Sequence, residues 1–426
     1  MTRLRLLGRE TFSALAIPNY RRYYGGQAIS LVGTWMQMIA QSWLVLQLTH
    51  SSVALGLVVA LQTLPVLLLG PYGGLIADRV DKRRLMIVLQ SLMALQALVL
   101  GLLTVTGNIR VWEIALLASL LGLNTAFENP ARQTFMLELV GPAELRNAVS
   151  LNSVLVNVAR AVGPALAGVL IATTGEGICF LVNAASFVAV VFSLVTMDRA
   201  ALRPSLPAER ARGQLREGLR YVRHNPELAT PLLMMALTGM LTYEFQVSLP
   251  VLAHALHGGS GTYGLMMAAM GVGAVAGGLV TAARGRIGLR PLVVAAAGLG
   301  VFILLASAAP TRPLELLALV FAGAASVSFI AIGNTTLQLN AAPAMRGRVM
   351  SLWFVGFQGS TPIGGPVVGL VIAAAGARAG LALGGVTCLL AALLGSRAAR
   401  TSRPATRPAQ LPVVEPDGDD ALTAAA

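Results

Sequence analysis

The sequence predicts an all-α membrane protein, with twelve transmembrane helices in two pseudo-symmetric six-helix halves. Three observations support this fold class: an apolar composition, the spacing of the apolar runs, and an internal repeat. Of the 426 residues, 56% are hydrophobic and 12% are charged, and the mean hydropathy is +0.73. Soluble proteins carry about 25% charged residues, so this composition favours lipid over water as the surrounding solvent.

Twelve apolar runs have roughly the 17–25 residues that a helix needs to cross a bilayer. The first six are Tyr24–Leu48, Val53–Ala77, Leu85–Thr106, Val111–Phe127, Val149–Thr173 and Ile178–Met197. The second six are Leu228–Leu252, Thr262–Ala283, Leu292–Ala309, Leu314–Thr335, Val349–Ala375 and Ala379–Gly395.

A polar stretch from Asp198 to Glu227, which contains Pro204 and Pro207, divides these spans six plus six. The expected organisation is a cytoplasmic leader (1–23), an N-terminal six-helix bundle (24–197), a cytoplasmic linker (198–227), a C-terminal six-helix bundle (228–395) and a disordered cytoplasmic tail (396–426). The leader does not fit a cleavable signal, because its arginines precede only a short apolar stretch. The tail is expected to be disordered because it is rich in proline and alanine.

Basic residues are concentrated in alternate gaps between the spans. With the N-terminus inside, 27 of the 31 lie in cytoplasmic segments, three in outer loops and one, Arg160, within the fifth span. Positively charged loops stay on the cytoplasmic side, so we expect both termini to be cytoplasmic. The net charge of +13 does not indicate nucleic-acid binding, because no single basic domain with interleaved aromatic residues carries it.

An internal repeat relates the fifth and eleventh spans. Pro142–Leu151 and Gly163–Gly175 match Pro343–Leu352 and Gly365–Gly376 at an offset of 201 or 202 residues. Chance recurrence of Gly-Pro is the alternative, but the matching flanks argue against it. Two six-span halves in the same orientation are typical of transporters with a substrate site near the bilayer midplane.

The connection between spans two and three, Gly73 to Leu85, reads GGLIADRVDKRRL. Its glycines, Gly74 among them, allow close helix approach. Asp78 can accept hydrogen bonds from the N-terminus of a neighbouring helix and interact favourably with its dipole. A simple basic loop that only sets topology is the alternative, but such a loop needs no embedded aspartate.

This segment resembles the loop motif of the major facilitator superfamily, in which a glycine, an aspartate and a basic cluster follow in that order. Here the aspartate is Asp78 and the cluster begins with Arg79 and Lys82, while Asp81 stands where the family usually has glycine. The resemblance implies a cytoplasmic gate in which Asp78 meets the start of span eleven, near Arg348.

Three further segments resemble one branch of that superfamily, which holds siderophore exporters similar to the enterobactin exporter, and macrolide and multidrug efflux proteins. They are Gly33–Ser52, Leu61–Arg79 and Glu128–Val140. Glu128 and Arg132 can pair on one helix turn. The resemblance also implies that Glu128 meets Lys82 or Arg79 in the closed gate; a lone surface pair is the alternative and would contribute little.

Gly163 and Pro164 begin a partial match to the fifth-span motif of proton-coupled antiporters, GPxxGG, with Ala167 in place of one glycine. Pro164 and its repeat counterpart Pro366, which follows Gly365, would each free a backbone carbonyl and bend the span. The alternative is that small residues at this spacing only let helices pack closely.

Two charges lie within predicted spans. Arg160 follows Ser153 and Asn157 on one helical face, which should line water or a partner helix. Glu244 is the one carboxylate deep within a predicted span, and such a group is a candidate for proton coupling or for binding a cationic substrate. A structural ion pair, of the two with each other, is the alternative.

Span one carries a polar stripe of Ser30, Thr34, Gln37 and Gln41 at spacings of four, three and four. The stripe lines a cavity or forms interhelical hydrogen bonds, and the pattern alone does not separate these readings. Because these polar groups are mostly neutral, the sequence favours a cargo that is not strongly anionic.

Together these features predict an exporter of an amphipathic small molecule, of drug or siderophore type, that works by alternating access and proton antiport as a monomer in the bacterial cytoplasmic (inner) membrane. An importer or uniporter of a small metabolite is the runner-up, and a non-transporting membrane sensor is the rival from another class. We expect no enzyme and no metal site, because no histidine lies mid-span, and no cofactor. An ATP-driven pump is also excluded for this chain, because no Gly-Lys-Ser/Thr phosphate loop exists.

Overall fold

The computed structural model describes residues 12–203, 214–342 and 345–401, but not the side chains at 71, 74, 75, 77, 78, 214–216, 218 and 401. A short 3₁₀ helix at Ser13–Ala16 precedes the first long helix. The α-helices are α1 (Pro18–Thr49), α2 (Ser52–Arg79), α3 (Lys82–Val105), α4 (Val111–Thr174), α5 (Glu176–Val195), α6 (Gln214–Arg223), α7 (Pro226–Leu241), α8 (Phe245–Ala255), α9 (Ser260–Arg284), α10 (Leu289–Ala308), α11 (Arg312–Asn340), α12 (Arg346–Gln358), α13 (Thr361–Ala375) and α14 (Ala377–Thr401).

These helices supply the crossings that the sequence predicts. Helix α4 has 64 residues, about 96 Å at a rise of 1.5 Å per residue, which is far too long for one crossing. It breaks at Gly141, whose φ of 74° and ψ of 173° are not helical, so that the chain reverses there. Span seven is formed by α7 and α8, and span eleven by α12 and α13. The predicted all-α membrane fold is confirmed.

The ends of the described segments differ in detail from the sequence prediction. Helix α1 begins at Pro18 rather than Tyr24, and the fourth span continues as helix to the break at Gly141. The predicted linker contains helix α6, while residues 204–213 lie outside the described part of the chain. Helix α14 extends to Thr401, and most of the predicted tail also lies outside the described residues.

The repeat is visible in the backbone. Gly175 ends the fifth span with φ of 88° and ψ of 169°, and Gly376 ends the eleventh with φ of 88° and ψ of 167°. The two glycines are 201 positions apart, and this left-handed region favours glycine at both. The repeated sequence therefore encodes the same turn twice.

Helices meet through small residues and expose larger apolar ones, as expected in lipid. Gly26 and Gly33 of α1 contact α5, and Gly277 of α9 contacts Ala324 of α11. On the outside, Phe192 and Val294 are 69% and 71% exposed. Large apolar side chains therefore lie on the outside of the bundle, as in a protein surrounded by lipid.

Candidate functional site

The bundle has two distinguishable ends. The basic end carries the loop at Asp81, the break at Gly141 and the connection that follows Arg284. The opposite end carries the turns at His50, Gly175 and Gly376. For reference, α1–α5 are called the N-terminal half and α7–α14 the C-terminal half.

The two halves touch closely toward the opposite end. A methyl group added at Gly264 of α9 would lie 2.6 Å from the carbonyl oxygen of Pro164 and 2.9 Å from the Cα atom of Gly168, both in α4. These are backbone contacts that no other residue permits without movement. The same end also holds the stacked rings of Trp43 and Tyr263, whose centroids lie 6.4 Å apart.

A second close contact joins α2 to α13. A methyl group at Gly365 would lie 2.8 Å from the carbonyl oxygen of Gly56, and the hydroxyl of Ser52 donates to the carbonyl of Gly369 at 2.8 Å. Two backbone-on-backbone contacts on different helix pairs therefore close the opposite end. Gly163, Pro164, Gly365 and Pro366 all lie at or beside these contacts, and Pro164 and Pro366 lie inside α4 and α13.

The halves make fewer contacts toward the basic end, where a methyl group added at Gly359, at the end of α12, would still lie 2.6 Å from the Cδ1 atom of Leu67 in α2. Among the described residues, no hydrogen bond or ion pair joins the two halves there. Ser153 of the fifth span is exposed, and Asn157 donates only to the carbonyl of Ser153 in its own helix, at 2.8 Å. Ser153 of the predicted polar face is therefore exposed, whereas Asn157 and Arg160 are half-buried. The region between the halves toward the basic end, beside this face, is called the cleft.

Arg160 lies on this face, one turn beyond Asn157. Its guanidinium carbon is 5.0 Å from the centroid of a Trp35 ring, over which it stacks. Its Nε atom is buried and has no hydrogen-bond partner. Gly163 makes the stacking possible, because a methyl group there would lie 2.6 Å from the Cβ atom of Trp35.

Tyr243, which the sequence analysis did not single out, lies near enough to Arg160 for an electrostatic interaction. Its hydroxyl donates to the carbonyl of Ser326 at 3.2 Å and accepts from the Ser326 hydroxyl at 3.1 Å. Its ring meets Phe357 edge-on, with centroids 5.0 Å apart. Aromatic residues are common in membrane spans, so the tyrosine itself does not indicate a site. Its position next to Glu244 was the one feature of the sequence that could have pointed to it.

Glu244 lies at a break in span seven, between the end of α7 at Leu241 and the start of α8 at Phe245. Its side chain is 2% exposed, and Oε1 has no hydrogen-bond partner. A methyl group on Gly364 would lie 2.9 Å from Oε1, so the carboxylate rests against the first turn of α13. Span seven is therefore interrupted at Glu244.

The proposed pairing of Arg160 with Glu244 is not found. No salt bridge between them occurs among the described residues: Arg160 stacks on Trp35 of α1, whereas Glu244 faces α13. Each charge is therefore held separately, and neither neutralises the other.

The polar stripe of span one turns away from the cleft at two of its positions. Gln37 donates to Gln96 at 3.1 Å and accepts from Asn183 at 2.7 Å. Gln41 donates to Gln62 at 3.0 Å. These contacts match the interhelical alternative. Thr34 bonds to the carbonyl of Ser30 in its own helix at 2.9 Å.

The charges at the basic end pair within the N-terminal half. Lys82 contacts Glu138 at 2.7 Å, and Arg132 lies 3.1 Å from Glu128. Lys82 therefore pairs with Glu138 instead of the expected Glu128, and Glu128 pairs with Arg132. Glu138 lies ten residues nearer the break in α4, about 15 Å along the helix axis, and is level with the start of α3 where Lys82 lies.

The remaining gate residues are less defined. Arg79 is exposed, and the side chain of Asp78 lies outside the described residues, as does the local packing of Gly74. Arg348, near which the resemblance places the partner of Asp78, contacts Glu217 of α6 at 2.7 Å. The gate thus stays a prediction.

Comparison with known proteins gives the family context. The model of the transmembrane secretion effector family matches residues 9–415. The staphyloferrin A transporter of Staphylococcus aureus is 31% identical over 61% of this chain and 65% of its own length, so the match spans just under two thirds of that relative. The multidrug efflux pump Tap of Mycolicibacterium fortuitum is 27% identical over 80% of this chain and 85% of its own. The enterobactin exporter EntS of Citrobacter koseri is 28% identical over 79% and 81%.

A solved structure supports the fold. The bacterial homologue of the human lysosomal transporter Spinster, in its inward-facing and unoccupied conformation, superimposes with a TM-score of 0.71. The likeness covers 90% of this chain and 97% of that one, at 15% sequence identity. With the family model matching nearly the whole chain, the protein belongs to the transmembrane secretion effector family: it is a multi-pass membrane transporter of the major facilitator type, and not an enzyme.

Proposed function

We propose that the protein exports an amphipathic small molecule across the bacterial cytoplasmic membrane by alternating access, as a monomer driven by proton antiport. The observation that carries the proposal is the one-sided contact between the halves. Backbone contacts such as Gly56 with Gly365 and Pro164 with Gly264 close the opposite end. At the basic end, by contrast, Ser153 is exposed and no hydrogen bond or ion pair joins the halves among the described residues.

The positive-inside rule makes the basic end cytoplasmic, with both termini on that side. The described conformation is then open to the cytoplasm, where an exporter takes up its cargo. The moving bodies would be residues 24–197 and 228–395, joined by the linker at 198–227. The names of the relatives, an enterobactin exporter and a multidrug efflux pump among them, favour export over import.

Glu244 is the candidate for proton coupling. A charged carboxylate removed from water costs several kcal/mol. Oε1 of Glu244 has no hydrogen-bond partner, and the side chain of Thr361 is the one group that hydrogen-bonds to the carboxyl among the described residues. The carboxylate also rests on the first turn of α13, where the helix dipole favours negative charge. Because the next residue along α13, Gly365, contacts Gly56, a change in the charge of Glu244 acts on a helix that closes the opposite end.

The experiment uses everted membrane vesicles energised by respiration, with rhodamine 123, chloramphenicol and fluorescein as cationic, neutral and anionic cargo. The wild-type protein should accumulate at least one of them in a manner that a protonophore abolishes. Glu244→Gln should lose this uptake while membrane levels and thermal stability stay as in wild type. Glu227→Gln is the matched control, because Glu227 lies in the same span but is exposed.

Different outcomes contradict different parts of the proposal. Wild-type uptake by Glu244→Gln rules out the coupling role and leaves the exporter intact. If everted vesicles take up none of the three compounds, or if only right-side-out vesicles take one up, the result counts against export. Uptake that persists in the presence of the protonophore excludes proton antiport.

A further inference from the structure

We infer that the cleft binds an organic anion with a planar aromatic group, through a subsite formed by Arg160, Trp35 and Tyr243. This inference rests on the proposed function and names the class of its cargo. It also reverses the sequence-based expectation of a cargo that is not strongly anionic.

The charge of the cleft changes once the side chains are placed. Gln37 and Gln41, expected to line a neutral cavity, bond to Gln96 and Gln62 instead. Glu244 is 2% exposed and turned toward α13. Of the charges that the sequence placed within spans, Arg160 is then the one that lies on the open polar face.

Arg160 is held in a binding-competent state. No carboxylate lies within salt-bridge distance of it among the described residues, and its buried Nε has no acceptor. A buried donor without a partner is destabilising, so an acceptor that binds there recovers this free energy. Trp35 occupies one face of the guanidinium and leaves the N–H edge free, which is the edge that binds carboxylate or phosphate oxygens in pairs.

Trp35 stacks on Arg160, Tyr243 lies within electrostatic interaction distance of it, and Phe357 packs on Tyr243. Trp35 comes from α1, Tyr243 from the break between α7 and α8, and Phe357 from the last turn of α12. Tyr243 meets Phe357 edge-on at 5.0 Å, and this aromatic pair supplies apolar surface against which a planar ring can pack. Aromatic rings by themselves can bind a cation through their faces. The positive charge of the Arg160 guanidinium beside them repels a cationic cargo and attracts an anionic one.

The first experiment measures the local charge without assuming a cargo. Trp35 is made the sole tryptophan by the changes Trp43→Phe, Trp112→Phe and Trp353→Phe, and its fluorescence is quenched in purified protein by iodide and by neutral acrylamide at constant ionic strength. The iodide quenching constant should fall at least threefold in Arg160→Gln and be retained in Arg160→Lys. Acrylamide quenching should stay unchanged and thereby show that the fold is intact. Equal iodide quenching with and without Arg160 overturns the inference.

The second experiment compares fluorescein with rhodamine 123, two dyes with similar xanthene rings and opposite charge. In energised everted vesicles, wild-type uptake of fluorescein should exceed that of rhodamine 123 at least fivefold, and Arg160→Gln should lose the preference. Equal uptake, or a preference for rhodamine 123, overturns the anionic class. Uptake of neither dye, with iodide quenching still dependent on Arg160, counts against the proposed exporter and supports the anion subsite.

Discussion

The closure of the opposite end depends on Gly264, and the change Gly264→Ala tests it. A methyl group at this position would lie 2.6 Å from the carbonyl oxygen of Pro164, whereas ordinary contacts begin near 3.4 Å. The deficit of about 0.8 Å involves backbone atoms on both helices, so α9 and α4 must separate. Gly261→Ala is the matched control, because one turn away on α9 its nearest neighbour is the carbonyl oxygen of Gly168 at 3.9 Å.

The size of the effect follows from overpacking. Inserting a methyl group into a tight contact costs about 1–3 kcal/mol, and this cost applies only to the state in which the contact exists. The closed population of the opposite end should therefore fall by a factor of about 5–150 relative to the open one. Replacing glycine by alanine within a helix gains about 0.5–1 kcal/mol in both variants, so this gain cancels in the comparison.

The assay is a distance measurement between spin labels on cysteines placed at Asn108 and Pro310, two exposed loop positions at the opposite end, one in each half. The wild-type protein and Gly261→Ala should share a short-distance population. In Gly264→Ala this population should shrink in favour of longer distances. Identical distance distributions in the two variants would refute the argument that the backbone contact sets the closure.

Two further predictions address the polar residues. Gln37→Ala should lower the free energy of unfolding by about 1–3 kcal/mol, because Asn183 and Gln96 lose their buried partner. Transport per folded molecule should stay at the wild-type rate. A transport defect at unchanged thermal stability would favour a role of Gln37 in the cleft instead. Asp78→Asn should slow transport several-fold with membrane levels unchanged, since it removes the charge of the proposed gate, and unaltered turnover in the vesicle assay would exclude that gate.

Much of the architecture could be predicted before any side chain was placed. Apolar runs, the 201-residue offset between Gly175 and Gly376, and the alternation of arginine are linear patterns, and each follows directly from the thickness and electrostatics of a bilayer. The charges within spans, Arg160 and Glu244, were also visible, because an ionised group in lipid is costly wherever it points. Helix ends were less predictable: the fourth span continues to Gly141 because helix can extend beyond the apolar run.

The tertiary structure decided which way those groups face. Gln37 and Arg160 sit on polar stripes of similar spacing, yet Gln37 bonds to Gln96 and Asn183 while Arg160 stacks on Trp35 and leaves its buried Nε without a hydrogen-bond partner. A helical period gives the face of a helix but not the neighbour of that face, because neighbours depend on how α1, α3, α4 and α5 are arranged around each other. Tyr243 shows the same limit, since its role arises from the break in span seven and from contact with Ser326 of α11. The sequence alone determined the membrane class, the repeat and the positions of the charged residues. Three-dimensional packing decided which polar residues join hydrogen-bond networks between helices and which remain beside the cleft.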